Sequence, residues 1–158
     1  MADSGERGAR VRFPPPLVYL LAVLAGLAAG RWGVAAPVPI DRTLRIMVGT
    51  LLTVAAVALA ASARIHFRRT GQSVIPWTPT PELIYQGPYR FTRNPMYVGM
   101  TLLTIGLGVA LNNLWISLFA LPALLVVHLI AVLPEEKYLS EKFGDGYRTY
   151  LTRVRRYL

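Results

Sequence analysis

The polar residues of this chain that could do chemistry fall in two short stretches, each at the edge of a long apolar run. Gly87-Pro88-Tyr89-Arg90-Phe91-Thr92-Arg93-Asn94-Pro95-Met96-Tyr97-Val98-Gly99 opens one run, and Pro134-Glu135-Glu136-Lys137-Tyr138 closes the next. Glu135 and Glu136 have two readings at a helix end. They are solvated interfacial charges, or they receive a cationic or hydroxyl-rich ligand, since a carboxylate can accept two hydrogen bonds from a diol or hold an ammonium. Arg93, Asn94 and Tyr97 stand at the predicted start of a helix, and Pro95 suits its first turn. Free backbone N–H groups and the helix dipole favour an anionic group there; taken alone, Arg93 reads equally as an anchor reaching to lipid headgroups. His128 is the one ionisable residue deep in its apolar run. Its spacing from Glu135 predicts one shared helix face, with about 10 Å between them along the axis. Intramembrane ionisable residues default to function, and a histidine bonded to a neighbouring helix is the alternative.

The elements that must position these residues are visible in the hydropathy. Apolar residues make up 54% of the 158 and charged residues 16%, with a mean hydropathy of +0.43. They fall in four blocks, at 17–36, 44 or 46 to 63, 96–111 and 114–133. A spanning helix needs ~20 apolar residues, with a range of about 17 to 25. The prediction is therefore an all-α, integral-membrane bundle of four transmembrane helices. A folded connection spans 64–95, and an amphipathic helix on the bilayer surface ends the chain. The first block follows a basic leader (Arg7, Arg10, Arg12) but exceeds the ~7–15 residues of a signal-peptide core, so it is predicted to span rather than to be cleaved.

Local chemistry marks the boundaries. Residues 1–13 are small and polar and are expected to be a disordered tail that ends at Pro14-Pro15-Pro16. Pro37-Val38-Pro39 stops the first helix, and Asp41 can cap the second. The 64–95 connection carries Trp77, Tyr85, Tyr89 and Phe91 with Pro76, Pro79, Pro81 and Pro88, a composition suited to a folded cap. Only Asn112-Asn113 joins the third and fourth blocks, which predicts a tight antiparallel hairpin. That hairpin would bring Arg93–Tyr97 and Glu135-Glu136 to one membrane face. Beyond Glu136, Leu139, Phe143, Tyr147, Tyr150 or Leu151, Val154 and Leu158 recur at helical spacing with basic residues between them, and a break at Gly144-Asp145-Gly146 is open. Anionic headgroups would attract that basic face.

Several classes are excluded. The +9 net charge is topological: of the seventeen Lys and Arg, all but Arg31, Arg42 and Arg45 fall on one side of the four predicted spans. This is the positive-inside pattern, with both termini cytoplasmic, and it leaves no nucleic-acid role. Cysteine is absent, so there is no disulfide, thiolate metal site or cysteine nucleophile, and no C-terminal lipidation box. The chain is expected to hold to the membrane by spanning it. His66 and His128 are the only histidines and no carboxylates are spaced to join them, so no metal site is expected. No Ser-His-Asp grouping, phosphate-cradling loop or dinucleotide fingerprint occurs. Gly106-Leu107-Gly108 and the small residues of the first two helices read as packing.

With those residues in hand, the chain resembles the isoprenylcysteine carboxyl methyltransferase family and the related phospholipid methyltransferases. The resemblance runs from about Gly71 to Leu158. It rests on Gly-x-Tyr-x-x-x-Arg-(His/Asn)-Pro-x-Tyr-x-Gly at 87–99, an apolar hairpin, and Glu-Glu-x-x-Leu-x-x-x-Phe-Gly-x-x-Tyr-x-x-Tyr at 135–150. It implies a single membrane domain whose 71–158 half binds S-adenosylmethionine on the cytoplasmic side. Carried over by position, the cofactor contacts are Pro81, Glu82, Leu83 and Ile84, then Tyr89, then Asn94, Pro95, Met96 and Tyr97, and finally Glu135. Asn94 stands where the eukaryotic enzyme usually has His, and Ala131 where it has a substrate-handling Arg. The resemblance therefore carries the cofactor but not the prenylcysteine substrate.

The implied reaction is in-line attack on the sulfonium methyl by a lipophilic small-molecule or lipid acceptor bearing a carboxylate, amine or thiol. Arg93, Glu136 and His128 are the candidate catalytic residues, with Glu136 or His128 as the base that an amine would need. A non-catalytic membrane subunit with the same bundle is the alternative, and four short helices leave little room for a transporter. The Ala-, Arg-, Gly- and Leu-rich usage points to a GC-rich bacterial genome and hence a bacterial inner membrane. The sequence sets no oligomeric state.

Overall fold

The computed structural model describes residues 8, 9, 11, 13–71 and 78–157. The expectations placed on Arg7, Arg10, Arg12, Pro76 and Trp77 lie outside the described residues. The architecture is all-helical: α1 (Pro15–Trp32), α2 (Arg42–Arg69), a 3-10 turn (Gly87–Arg90), α3 (Pro95–Ala110), α4 (Leu114–Val127), a π-helical turn (His128–Val132), α5 (Leu133–Phe143) and α6 (Asp145–Arg153). Among the described residues the only β pairing is an isolated parallel bridge between Thr92 and Arg155.

Among the described residues three helical stretches are long and apolar enough to cross a membrane: Pro15–Trp32, Arg42–Arg69 and the continuous Leu114–Phe143. α3 has 16 residues, about 24 Å at the α-helical rise, against a hydrocarbon core of ~30 Å. The side chains are arranged inside out. Leu20, Leu21 and Leu24 on α1, Met47 and Leu51 on α2, and Leu121 and Leu125 on α4 point outward and are exposed, an apolar surface of the kind that marks contact with a membrane or a partner.

Small residues let the helices meet. A Cβ on Gly26 of α1 would lie 2.7 Å from the Ile116 backbone of α4, and one on Gly49 of α2 would lie 2.6 Å from the Ala110 backbone of α3. Gly106 approaches Thr53 of α2, and Gly108 approaches Ser117 of α4. Without a hydrophobic force between helices in lipid, such close backbone approach supplies the dispersion contact.

The boundaries follow local chemistry, with several corrections. α1 ends at Trp32, short of residue 36, because the chain turns out of the helix at Gly33, whose N–H bonds Ala29 O. Asp41 caps α2 as its type requires, accepting from Thr43 N at 2.9 Å and Leu44 N at 3.0 Å. α2 then runs past residue 63 to Arg69, and His66, Arg68 and Arg69 in its last turn suit the negative end of the helix dipole. The connection to α3 is correspondingly shorter than the sequence suggested. At the hairpin Asn112 takes a left-handed φ of 57°, which asparagine tolerates.

The C-terminal stretch is two helices and a strand-like end. Gly144 breaks it with φ 52°, and Val154 leaves α6 in an extended conformation. In the part of the expected N-terminal tail that the structure describes, Ala9 and Val11 are buried, packed in one cluster with Tyr19, Tyr97, Val127 and Ala131.

Candidate active site

The hairpin brings the two polar stretches together. Tyr97, on the first turn of α3, donates its phenol to Glu135 Oε1 at 2.6 Å. One residue on, Glu136 Oε1 lies 3.2 Å from Arg93 Nη1, with the two side chains only 12% and 13% exposed. Buried ion pairs of this kind persist when further hydrogen bonds satisfy them, and here a second guanidinium does so. Arg156 bonds Glu136 through Nε at 3.0 Å and through Nη2 at 2.7 Å.

The start of α3 is held from the C-terminus of the chain. Arg93 N donates to Arg155 O at 2.9 Å, while Thr92 Oγ1 and Asn94 Nδ2 donate to Arg156 O at 3.0 and 3.1 Å. Asn94 therefore does not cap α3 with its side chain. Tyr89 is set by the 3-10 turn, where Gly87 takes φ 59° and a Cβ would overlap the His66 ring. Its ring lies 5.8 Å from Phe67, and its carbonyl accepts from Tyr150 Oη at 2.7 Å.

These groups surround a cavity of about 470 Å³, within the usual range of small-molecule sites. Of the sequence-derived candidates, Glu82 to Ile84, Tyr89, Arg93 to Tyr97, Glu135 and Glu136 all line it. Pro81 and His128 do not.

His128 stands apart for a geometric reason. Leu133 N bonds His128 O across the π turn, an i→i+5 step that holds more residues per turn than an α-helix and shifts the phase by roughly a quarter turn. The shared face predicted for His128 and Glu135 is thereby lost. His128 Nδ1 instead meets Tyr157 Oη at 2.8 Å.

Sequence reasoning missed part of the wall. Tyr147 and Tyr150 line the cavity; they were read as the apolar stripe of a surface helix, yet they are 2% and 8% exposed. Their presence in the second motif was the available signal. Phe67 and Met100 also contribute, with no motif to mark them, as do Ala9 and Pro14 to Pro16 ahead of α1.

The electrostatics are uneven across the site. Burial pushes the Tyr150 phenol up to about 12, with the Arg93 guanidinium pulling partly back. Burial raises Tyr147 and Tyr89 as well, so these rings are neutral hydrogen-bonding walls at physiological pH. Arg156 is raised above its ordinary value, first by its hydrogen bond to Glu136. Glu136 is matched by two guanidiniums, whereas Glu135 has a neutral phenol as its partner and can face a cation across the cavity. Arg93 Nε is buried and has no hydrogen-bond partner among the described residues, on a guanidinium whose side chain lines the cavity. Among the described residues no group of three or more His, Asp or Glu could hold a metal.

The cavity thus combines carboxylates and a guanidinium with aromatic and aliphatic walls. The profile of the phospholipid methyltransferases matches residues 44–146, which covers α2 through the start of α6 and most of the cavity wall. An uncharacterized protein of Haemophilus influenzae is 36% identical over 63 residues, which are 40% of this chain and the whole of that relative. The chain belongs to the phospholipid methyltransferase family.

Proposed function

We propose that this chain is an integral-membrane methyltransferase that uses S-adenosylmethionine to methylate a lipophilic acceptor. The observation that carries the reading is the convergence of Tyr97–Glu135 and Arg93–Glu136 on one cavity. The donor set suits the cofactor. Glu135 can meet an ammonium or a ribose diol, the Arg93 guanidinium lining the cavity suits a carboxylate, and aromatic and aliphatic walls suit an adenine ring. Glu82 to Ile84, Tyr89, Asn94 to Tyr97 and Glu135 would hold it. When bound, S-adenosylmethionine supplies an electrophilic methyl on a sulfonium sulfur.

This chain's own residues align the reactants and keep water out. Charge is dispersed when an anionic acceptor meets a sulfonium, so orientation and exclusion of water are the main contributions required of the protein. A carboxylate or thiolate acceptor needs no base. For an amine acceptor Glu136 is a poor base, because both its oxygens are engaged by guanidiniums. His128 stands outside the cavity lining and would have to act through another group.

The family and the outward apolar faces support a four-span topology with α3 as the short span. The distribution of Lys and Arg supports cytoplasmic placement of both termini and of the cavity. The acceptor would then enter from the bilayer and the cofactor from the aqueous side.

The test is isothermal calorimetry of the full chain in detergent with S-adenosylmethionine, followed by transfer of a labelled methyl into fractionated membrane lipids. Saturable binding and a labelled lipid are expected. A chain that ignores the cofactor would instead be a non-catalytic subunit that has kept the bundle.

A further inference from the structure

Beyond the matched 44–146 region, residues 154–157 close back on the site. Val154 is extended, Arg155 pairs with Thr92, and Tyr157 reaches His128 at 2.8 Å. Between them Arg156 inserts its guanidinium against Glu136, donating to both carboxylate oxygens at 3.0 and 2.7 Å. A bidentate fork of this kind fixes geometry as well as charge.

The consequence falls on Arg93. Glu136 Oε1 is shared between Arg156 and Arg93, whose Nη1 lies 3.2 Å away. With the fork position on Glu136 taken, Arg93 keeps a single contact to that carboxylate. Its Nε remains buried, with no partner among the described residues, on a side chain that lines the cavity. Were Arg156 absent, Arg93 would be the one guanidinium among the described residues paired with Glu136 and would be drawn into the fork itself. The guanidinium that lines the cavity would then be turned away from it.

We propose that Arg156 is a positioning residue: by occupying both oxygens of Glu136 it holds Arg93 turned toward the cavity, to bind an anionic group of the ligand. The inference rests on the methyltransferase reading, under which the anionic group is the carboxylate of the cofactor or the headgroup of an acidic acceptor.

Three probes distinguish the sources in calorimetry of the full chain: S-adenosylmethionine, its decarboxylated form, and oleate as an anionic amphiphile. Arg156→Ala should weaken the carboxylate-bearing partner about tenfold, the scale of one lost charged hydrogen bond, and leave decarboxylated S-adenosylmethionine within about twofold. Loss confined to S-adenosylmethionine assigns Arg93 to the cofactor, and loss confined to oleate assigns it to the acceptor. Arg156→Lys, which keeps the charge without the fork, should fall between wild type and alanine. In a Glu136→Gln background Arg156→Ala should add little, because the residue acts through that carboxylate.

Unchanged affinities for all three probes would overturn the inference, as would equal losses for S-adenosylmethionine and its decarboxylated form, or full additivity with Glu136→Gln. If the unaltered chain binds no S-adenosylmethionine, the methyltransferase reading falls first and this inference with it. If it binds and Arg156→Ala binds identically, the inference alone falls.

Discussion

The two ends of the α3–α4 hairpin use the same kinds of side chain for opposite purposes. At the Asn112-Asn113 end both side chains tie the chain to itself. Asn112 Oδ1 accepts from Val38 N at 3.0 Å, Asn113 Nδ2 donates to Gly26 O at 3.0 Å, and Asn113 Oδ1 caps Trp115 N at 3.1 Å. At the other end polar side chains meet each other around a cavity, in Tyr97–Glu135 and Arg93–Glu136. One of them, Arg93, keeps a donor with no partner among the described residues. A turn needs its hydrogen bonds satisfied locally, whereas a binding site must leave some for a ligand.

If that contrast is correct, mutations at the two ends separate stability from binding. The largest expected effect is at Glu135. Glu135→Ala should weaken S-adenosylmethionine binding at least about 100-fold, or ~2.8 kcal/mol. The protein should stay inserted and melt near the wild-type temperature. Wild-type affinity in this variant, measured by calorimetry, would remove the carboxylate from the site.

The opposite end should respond the other way. Asn113→Ala removes the cap on α4 and the bond to Gly26 O, and should cost about 1–2 kcal/mol of stability. Cofactor affinity should remain within twofold of wild type, on the order of 0.4 kcal/mol. A melt in detergent beside the calorimetric titration reads both. A large drop in affinity with an unchanged melt would erase the distinction between the ends.

How much of this was legible in the sequence divides along the same lines. Asp41 as a cap, Asn112-Asn113 as a tight turn and the meeting of Arg93 with Glu136 follow from local residue chemistry and one helical reversal. What was hidden depends on register or distant pairing. The π turn at His128–Val132 leaves no signature in an apolar run, so a spacing count placed His128 on the wrong face. The return of Arg155 and Arg156 to Thr92 and Asn94 joins segments more than sixty residues apart, and hydrophobic periodicity does not report it. Tyr19 bonding Thr101 across α1 and α3 at 2.8 Å is of the same kind. A small, polar composition predicts a disordered tail over 1–13, yet Ala9 and Val11 are buried beside the site.

A smaller effect tests the hydroxyl of Tyr97. Tyr97→Phe keeps the ring but deletes the 2.6 Å bond to Glu135. The carboxylate then faces the cavity without its fixed partner, and affinity should fall about tenfold, or ~1.4 kcal/mol. Parity with Glu135→Ala would mean that the phenol, rather than the carboxylate, contacts the ligand.

The subtlest expectation concerns pH. Tyr150 is raised from 10.0 to about 12 by burial, and Tyr89 and Tyr147 move in the same direction. A phenol whose folded value exceeds its unfolded value contributes stability that is fully present below the unfolded value. That stability is lost as pH climbs toward the folded one. Melting temperature should therefore be insensitive to these rings at pH 7–9 and should decline between about pH 10 and 12. Tyr150→Phe loses the bond to Tyr89 O, so it should begin less stable at pH 8. It carries one titrating phenol fewer, so its decline above pH 10 should be shallower. Parallel curves for the two proteins would mean that Tyr150 is as solvated in the folded chain as in the unfolded one, and the wall it forms beside Tyr89 would have to be redrawn.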